Sequence, residues 1–183
     1  MAAVWILVAI GVLVVLFLVF AYNGLVRLRN RIDEAWAQID VQLRRRYDLI
    51  PNLVETVKGY AAHERGTFEA VTQARAQAIS AQGVAQQAQA ESQITSALKS
   101  LFAVSERYPE LKANQSFLAL QEELTSTEGR IAYARQFYNE TVRSYNTRMQ
   151  SFPTNLLAGG FGFGAREYFE AEDSFRGPVT VQF

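Results

Sequence analysis

The 183 residues include no cysteine and a single histidine. The first absence excludes disulfides, thiol nucleophiles, iron–sulfur clusters, thiolate zinc sites and the acylated cysteine of a lipoprotein. The second excludes a His-rich metal centre. Net charge is missing as well: 18 Lys and Arg balance 18 Asp and Glu. No bulk positive field is therefore available to release counterions from a nucleic acid. Proline occurs only four times, and no run reads as a long disordered tail. The length suits one domain, with or without a membrane segment. No cofactor and no catalytic activity are expected from this inventory.

The strongest positive signal comes first in the chain. Residues 1–26 carry no charged side chain, and fourteen of the seventeen residues from Val4 to Phe20 are Val, Ile, Leu or Phe. At about −0.3 to −0.6 kcal/mol each, the stretch favours insertion by roughly 4–8 kcal/mol. It is long enough to cross a bilayer as a helix. Trp5 and Tyr22 flank it, where amphipathic aromatics meet the membrane interface. A cleaved signal peptide would need a basic start and small residues before the cleavage point; here no Lys or Arg precedes Arg27, and Val19-Phe20-Ala21-Tyr22 is a poor site. An uncleaved anchor is the reading adopted. Arg27, Arg29 and Arg31 follow it at once. By the positive-inside rule they place the N-terminus outside and the body in the cytoplasm, at the inner membrane of the cell. They either set this topology alone or also attract anionic lipid.

Helical periodicity then takes over. Leu25, Leu28, Ile32, Trp36, Ile39 and Leu43 recur at three and four residues. Two seven-residue series follow, Trp36-Leu43-Ile50-Val57 and Tyr47-Val54-Ala61-Phe68, a seam of coiled-coil type. Both keep phase across Pro51, which predicts a kinked helix, with a fresh start capped by Asp48 as the alternative. Residues 74–93 are mostly Ala and Gln, so this part is expected to be helical but thin or exposed, turning at Gly83. Ile94, Leu98, Leu101, Ser105 and Tyr108 mark the next helix, ended by Pro109. Asn114 or Ser116 can start the last one. Its seven-residue series is Phe117, Leu124, Ile131, Tyr138, Tyr145 and Phe152, with Leu120, Thr127, Ala134 and Thr141 as companions, and Pro153 stops it. The expected fold is all-α: a transmembrane helix (1–23) continuing into an elongated antiparallel bundle of three to four long helices (24–153), then a Gly- and aromatic-rich tail (154–183).

Three places invite functional readings. Arg44, Arg45 and Arg46 ring one helical turn, with Asp40 and Asp48 four residues either side of Arg44; a solvated, ion-paired belt is expected, or an electrostatic contact with a partner. The tail holds Phe161, Phe163, Tyr168, Phe169, Phe175 and Phe183 beside the acids Glu167, Glu170, Glu172 and Asp173, and Val179-Thr180-Val181 reads as a short extended piece. It either docks on its own bundle or grips a neighbouring subunit, for example at the arginine belt. Pro51 frees a carbonyl that Asp48 or Asn52 could help satisfy, a structural kink or a binding hinge. His63-Glu64 lacks the second histidine of a zinc peptidase, Thr67 standing in its place, and one histidine cannot supply the two Glu-x-x-His pairs of a di-iron bundle. Gly159-Gly160-Phe161-Gly162 lacks the strand and lysine of a phosphate loop.

Several blocks together resemble the LemA family of bacterial proteins. They are Tyr22-Asn23-Gly24-Leu25-Val26-Arg27, the run from Ala35 through Arg44-Arg45-Arg46-Tyr47-Asp48-Leu49-Ile50-Pro51-Asn52-Leu53-Val54, Gly59-Tyr60-Ala61-Ala62-His63-Glu64, Tyr108-Pro109-Glu110-Leu111, Phe137-Tyr138-Asn139, Phe152-Pro153 and Gly162-Phe163. The resemblance covers nearly the whole chain, with only the stretch around 74–93 looking freely variable. It implies a single N-terminal membrane helix before a helical bundle and carries no catalytic residues over. It also hints at an accessory or scaffolding role among envelope proteins. The expected function is a non-enzymatic, membrane-anchored scaffold that self-associates, with an adaptor for a membrane protease, transporter or signalling protein as the alternative. The expected partners are the lipid bilayer, further copies of the chain, or another membrane protein, and no nucleic acid.

Overall fold

Apolar residues at three- and four-residue spacing produce helices throughout the computed structural model, which describes residues 1–170. Four helices are long: α1 (Ala2–Lys58), α2 (Arg65–Ser80), α3 (Gly83–Ser105) and α5 (Gln115–Gln150). Two single turns, α4 (Pro109–Lys112) and α6 (Asn155–Ala158), complete them. No strand occurs among the described residues. Glu172, Asp173, Phe175, Val179-Thr180-Val181 and Phe183 lie outside them.

The chain divides into two compact units. The first comprises Met1–Gln38 and Gln136–Glu167. Here α1 and the end of α5 run antiparallel: Trp36 meets Tyr138 edge to face at 5.6 Å, and the Arg148 guanidinium lies against Gly24. A β-carbon at Gly24 would stand 3.2 Å from that guanidinium, so a larger residue there would push the end of the Arg148 side chain aside by a few tenths of an ångström. Leu25, Ile32, Ala35, Tyr138, Val142 and Tyr145 form the unit's core. At its start, α1 leaves Val4 through Phe17 exposed along a run long enough to cross a membrane.

The second unit comprises Ile39–Arg135 and Tyr168–Phe183, of which 168–170 are described. Its core gathers Leu43, Ile50 and Val57 of α1, Phe68 and Val71 of α2, Leu98 and Leu101 of α3, and Phe117, Leu124 and Ile131 of α5. Asn114 caps α5, its Oδ1 accepting from the Phe117 N–H at 3.0 Å.

Four expectations change. The series Tyr47-Val54-Ala61-Phe68 is buried at all four positions but is not one helix, because α1 stops at Lys58. Gly59 lowers helix propensity there, and the Val57 carbonyl then accepts from both the Tyr60 and Ala61 N–H groups, tightening the chain into a turn. Pro109 does not end α3, which stops at Ser105; it opens α4, where its missing N–H costs nothing. The stretch 74–93 is amphipathic rather than exposed throughout: Ala74, Ala78, Gln87, Ala88, Ala90 and Glu91 are buried, while Ile79 is exposed. Phe152 leaves the α5 seam, since the helix ends at Gln150, and it is 79% exposed. Gly83 sits at the α2–α3 turn with φ of 77°, a conformation that favours glycine.

Candidate functional site

Pro51 lies inside α1 and the helix runs on through it, without a new start at Asp48. Proline has no N–H, so the carbonyl of Tyr47 one turn earlier loses its helical donor. Neither Asp48 nor Asn52 replaces it. Arg75 of α2 does, its Nε–H donating to the Tyr47 carbonyl at 2.7 Å. Asp48 and Asn52 stay exposed, and the Asn52 carbonyl accepts from Thr56 at 2.8 Å.

The side chains on that same turn open a buried polar cluster. Arg44 is exposed and paired with Asp40 at 2.8 Å, and Arg45 pairs with Glu123 at the surface of α5. Arg46 corrects the picture of a solvated belt, with a side chain only 2% exposed. It occupies the phase position three residues after Leu43 and so points inward with the seam. Its Nη1–H donates to Glu91 Oε2 at 2.8 Å and its Nη2–H to Thr95 Oγ1 at 2.9 Å. Its Nε lies 2.8 Å from Glu128 Oε1, yet the N–H is not aimed along that line, so the contact is a close ion pair without a directed hydrogen bond.

Glu91 is the hub. Besides Arg46, it accepts from the Tyr47 hydroxyl and, at 2.9 Å, from the Gln87 amide. Gln87 also donates to the Tyr47 oxygen at 2.7 Å, closing a three-residue ring. Burial, with the adjacent Glu91 carboxylate, pushes the Tyr47 phenol far above its ordinary range, so it stays protonated as a donor. Burial also raises the Glu128 carboxyl, with Arg46 partly opposing, and lowers Arg135, opposed by Glu91 and Glu128. Arg135 stacks over the Phe169 ring at 4.8 Å, and Phe169 is 1% exposed. Two arginines and two glutamates thus balance across α1, α3 and α5. The arrangement ties helices in one register; it presents no activated nucleophile and, among the described residues, no group of three His, Cys, Asp or Glu gathered for a metal. His63 is exposed in the turn before α2.

Of these residues, sequence reading singled out Arg46 but missed Gln87, Glu91, Thr95, Glu128, Arg135 and Arg75. A signal existed. Glu91 is the sole charged residue between Arg75 and Lys99, and it extends the Ile94-Leu98-Leu101 series one step back, with Gln87 one step further.

The sequence-predicted membrane residues fall in the first unit. Trp5 is exposed on the apolar run. Tyr22 packs edge-on against Phe161 at 5.3 Å and Phe163 at 5.6 Å. Arg29 lies over the Phe163 ring at 5.7 Å and Arg31 over Phe137 at 5.4 Å, while Arg27 reaches back to the Asn23 carbonyl. The tail is held down here by α5: Tyr145 donates to the Gly164 carbonyl, Tyr138 to the Glu167 carbonyl, and Asn146 brackets Arg166 through both its backbone groups. Phe163 is buried, whereas Phe161, Tyr168 and Glu170 are exposed.

Comparison with known proteins identifies relatives of the sequence. The sequence profile of the LemA family matches residues 35–183. Magnetosome protein MamQ 2 of Paramagnetospirillum magneticum is 27% identical over 90% of this chain and 70% of its own length. Protein LemA of Metamycoplasma hominis is 30% identical over 74% of this chain and 63% of its own length. MamQ of Magnetospirillum gryphiswaldense is 26% identical over 90% of this chain and 70% of its own.

Proposed function

The chain belongs to the LemA family, and we propose that it is a non-enzymatic scaffold, anchored by α1 and self-associating at the cell membrane. One observation carries the reading. The apolar residues Val4 to Phe17 remain exposed on α1, while the charged groups gathered in the second unit are consumed in holding helices together. The first feature fits a bilayer, and the second leaves no reactive group poised for a substrate. Relatives named for the magnetosome fit a membrane-associated protein. Self-association uses the outward helix faces, where Val41, Leu118 and Tyr133 are exposed. It also uses the acidic tail, with Glu170 and Glu172 meeting Arg44 of a neighbouring copy. The body lies on the cytoplasmic side, set by Arg27, Arg29 and Arg31.

The test is the mass and composition of the full-length protein gently extracted from native membranes, by light scattering and mass spectrometry of one peak. A uniform particle of this chain alone supports the scaffold. A monomer with a stoichiometric second protein replaces it with an adaptor. A bare monomer overturns self-association.

A further inference from the structure

The exposed apolar run of α1 extends to Phe20, yet the chain's own cover begins before that point. Leu18 is half-buried, Ala21 is 2% exposed and Leu25 is 1% exposed. The covering segment belongs to the first unit. Antiparallel register pairs Trp36 with Tyr138 and Gly24 with Arg148, so the residues just past α5 come level with the last turn of the apolar run. Ring contact with Tyr22 holds Phe161 at that level too. This turn then exposes its own large apolar side chains: Phe152 is 79% exposed, Leu156 on α6 is 71% and Phe161 is 54%. Water is a poor neighbour for three such groups in one short segment.

Charge points the same way. No acid occurs in residues 1–32 or 141–166, whereas Arg27, Arg29, Arg143 and Arg148 are all exposed there. An apolar turn beside helix segments that carry arginines and no acid, adjoining the exit of a membrane span, matches the headgroup region of a leaflet. We infer that the turn after α5 is a second membrane contact, with Phe152, Leu156 and Phe161 seated in the interface of the leaflet on the body's side. The lipid is the occupant because the patch is continuous with the surface of the span itself. The inference rests on α1 crossing the bilayer.

Single-cysteine labelling tests it cleanly, since the chain has no cysteine of its own. Phe152→Cys and Leu156→Cys, with Leu13→Cys as the span reference and Lys99→Cys as the body reference, each carry an environment-sensitive fluorophore. The full-length protein is reconstituted in phosphatidylcholine–phosphatidylglycerol vesicles containing nitroxide-labelled lipid. Labels at 152 and 156 should be quenched several-fold more strongly than at 99, and best by nitroxides near the headgroups, while 13 responds to deep ones. Quenching at 13 without quenching at 152 and 156 overturns the second contact and keeps the span. Loss of quenching at 13 removes the span, and the inference with it. Labels at 152 and 156 shielded from aqueous iodide but untouched by lipid nitroxides indicate a protein cover, such as a second copy, and also overturn it.

Discussion

Replacing Glu91 by alanine should be the most damaging single change in the second unit that removes no apolar packing. The carboxylate is 6% exposed and its partner Arg46 2%. Removing it leaves a buried guanidinium whose remaining contacts are the Thr95 hydroxyl and the undirected approach to Glu128. Breaking a buried pair from one side costs about 3–5 kcal/mol, chiefly because the surviving charge stays desolvated. The Tyr47 hydroxyl and Gln87 amide lose an acceptor at the same time; Gln87 keeps the Tyr47 oxygen at 2.7 Å and the Ala78 carbonyl at 3.4 Å, whereas the Tyr47 hydroxyl loses the carboxylate it donates to. With total stability of order 5–15 kcal/mol for a domain, the variant approaches unfolding. In urea, with a slope of about 2 kcal/mol/M, the midpoint should fall by roughly 1.5–2.5 M. The assay is the helical circular dichroism of the full chain in nanodiscs across a urea titration.

Two companions make the result interpretable. Glu55→Ala removes an exposed pair with Lys58 and should cost below about 1 kcal/mol. Arg46→Met combined with Glu91→Leu removes both charges and should recover much of the loss, because Glu128 is 40% exposed and can turn to water. If Glu91→Ala shifts the midpoint no more than Glu55→Ala, the cluster is hydrated in solution and the reasoning fails.

Further outcomes can be checked on the same preparation. Pro51→Ala restores an N–H for the Tyr47 carbonyl, so Arg75→Ala should cost about 1–2 kcal/mol less in that background than in the native chain; an additive double-mutant cycle would refute the Arg75 assignment. The Glu128 carboxyl holds its proton more tightly when folded, so its stabilising contribution is full below the ordinary value of 4.5 and is lost as pH rises through the raised value. The stability of the native chain relative to Glu128→Gln should therefore fall with rising pH, and a difference that rises instead contradicts the burial argument. Phe169→Ala should destabilise the second unit by about 3–5 kcal/mol and increase hydrogen exchange on α5 around Arg135, whose guanidinium it covers. Glu170→Lys with Glu172→Lys should reduce the oligomer mass seen by light scattering, and an unchanged mass counts against tail-to-arginine contacts between copies.

Local information was legible wherever phase alone decided the outcome. The α5 series from Phe117 to Tyr145 is buried at each step, and the apolar start of α1 was plain from composition. What composition hid was the meaning of polar residues standing in apolar phase. Arg46 shares its turn with Arg44 and Arg45, and a run of three arginines reads as one belt; only its distance from Leu43 separates the buried one from its neighbours. Glu91 and Gln87 sit in an Ala- and Gln-rich stretch that looks like filler because small residues carry little hydrophobic signal. Small residues are also what let helices approach closely, and Ala74, Ala78, Ala88 and Ala90 are buried beside the cluster. The partners could not be read from spacing, because Glu91 lies 45 residues from Arg46 and Arg75 lies 28 residues from Tyr47. A charge at a seam position therefore says that a partner exists on another helix without saying which. A proline says the same of a carbonyl, and at Tyr47 both demands fall on adjacent residues of one turn. This is the physical reason the Arg46–Pro51 segment recruits α2, α3 and α5 together.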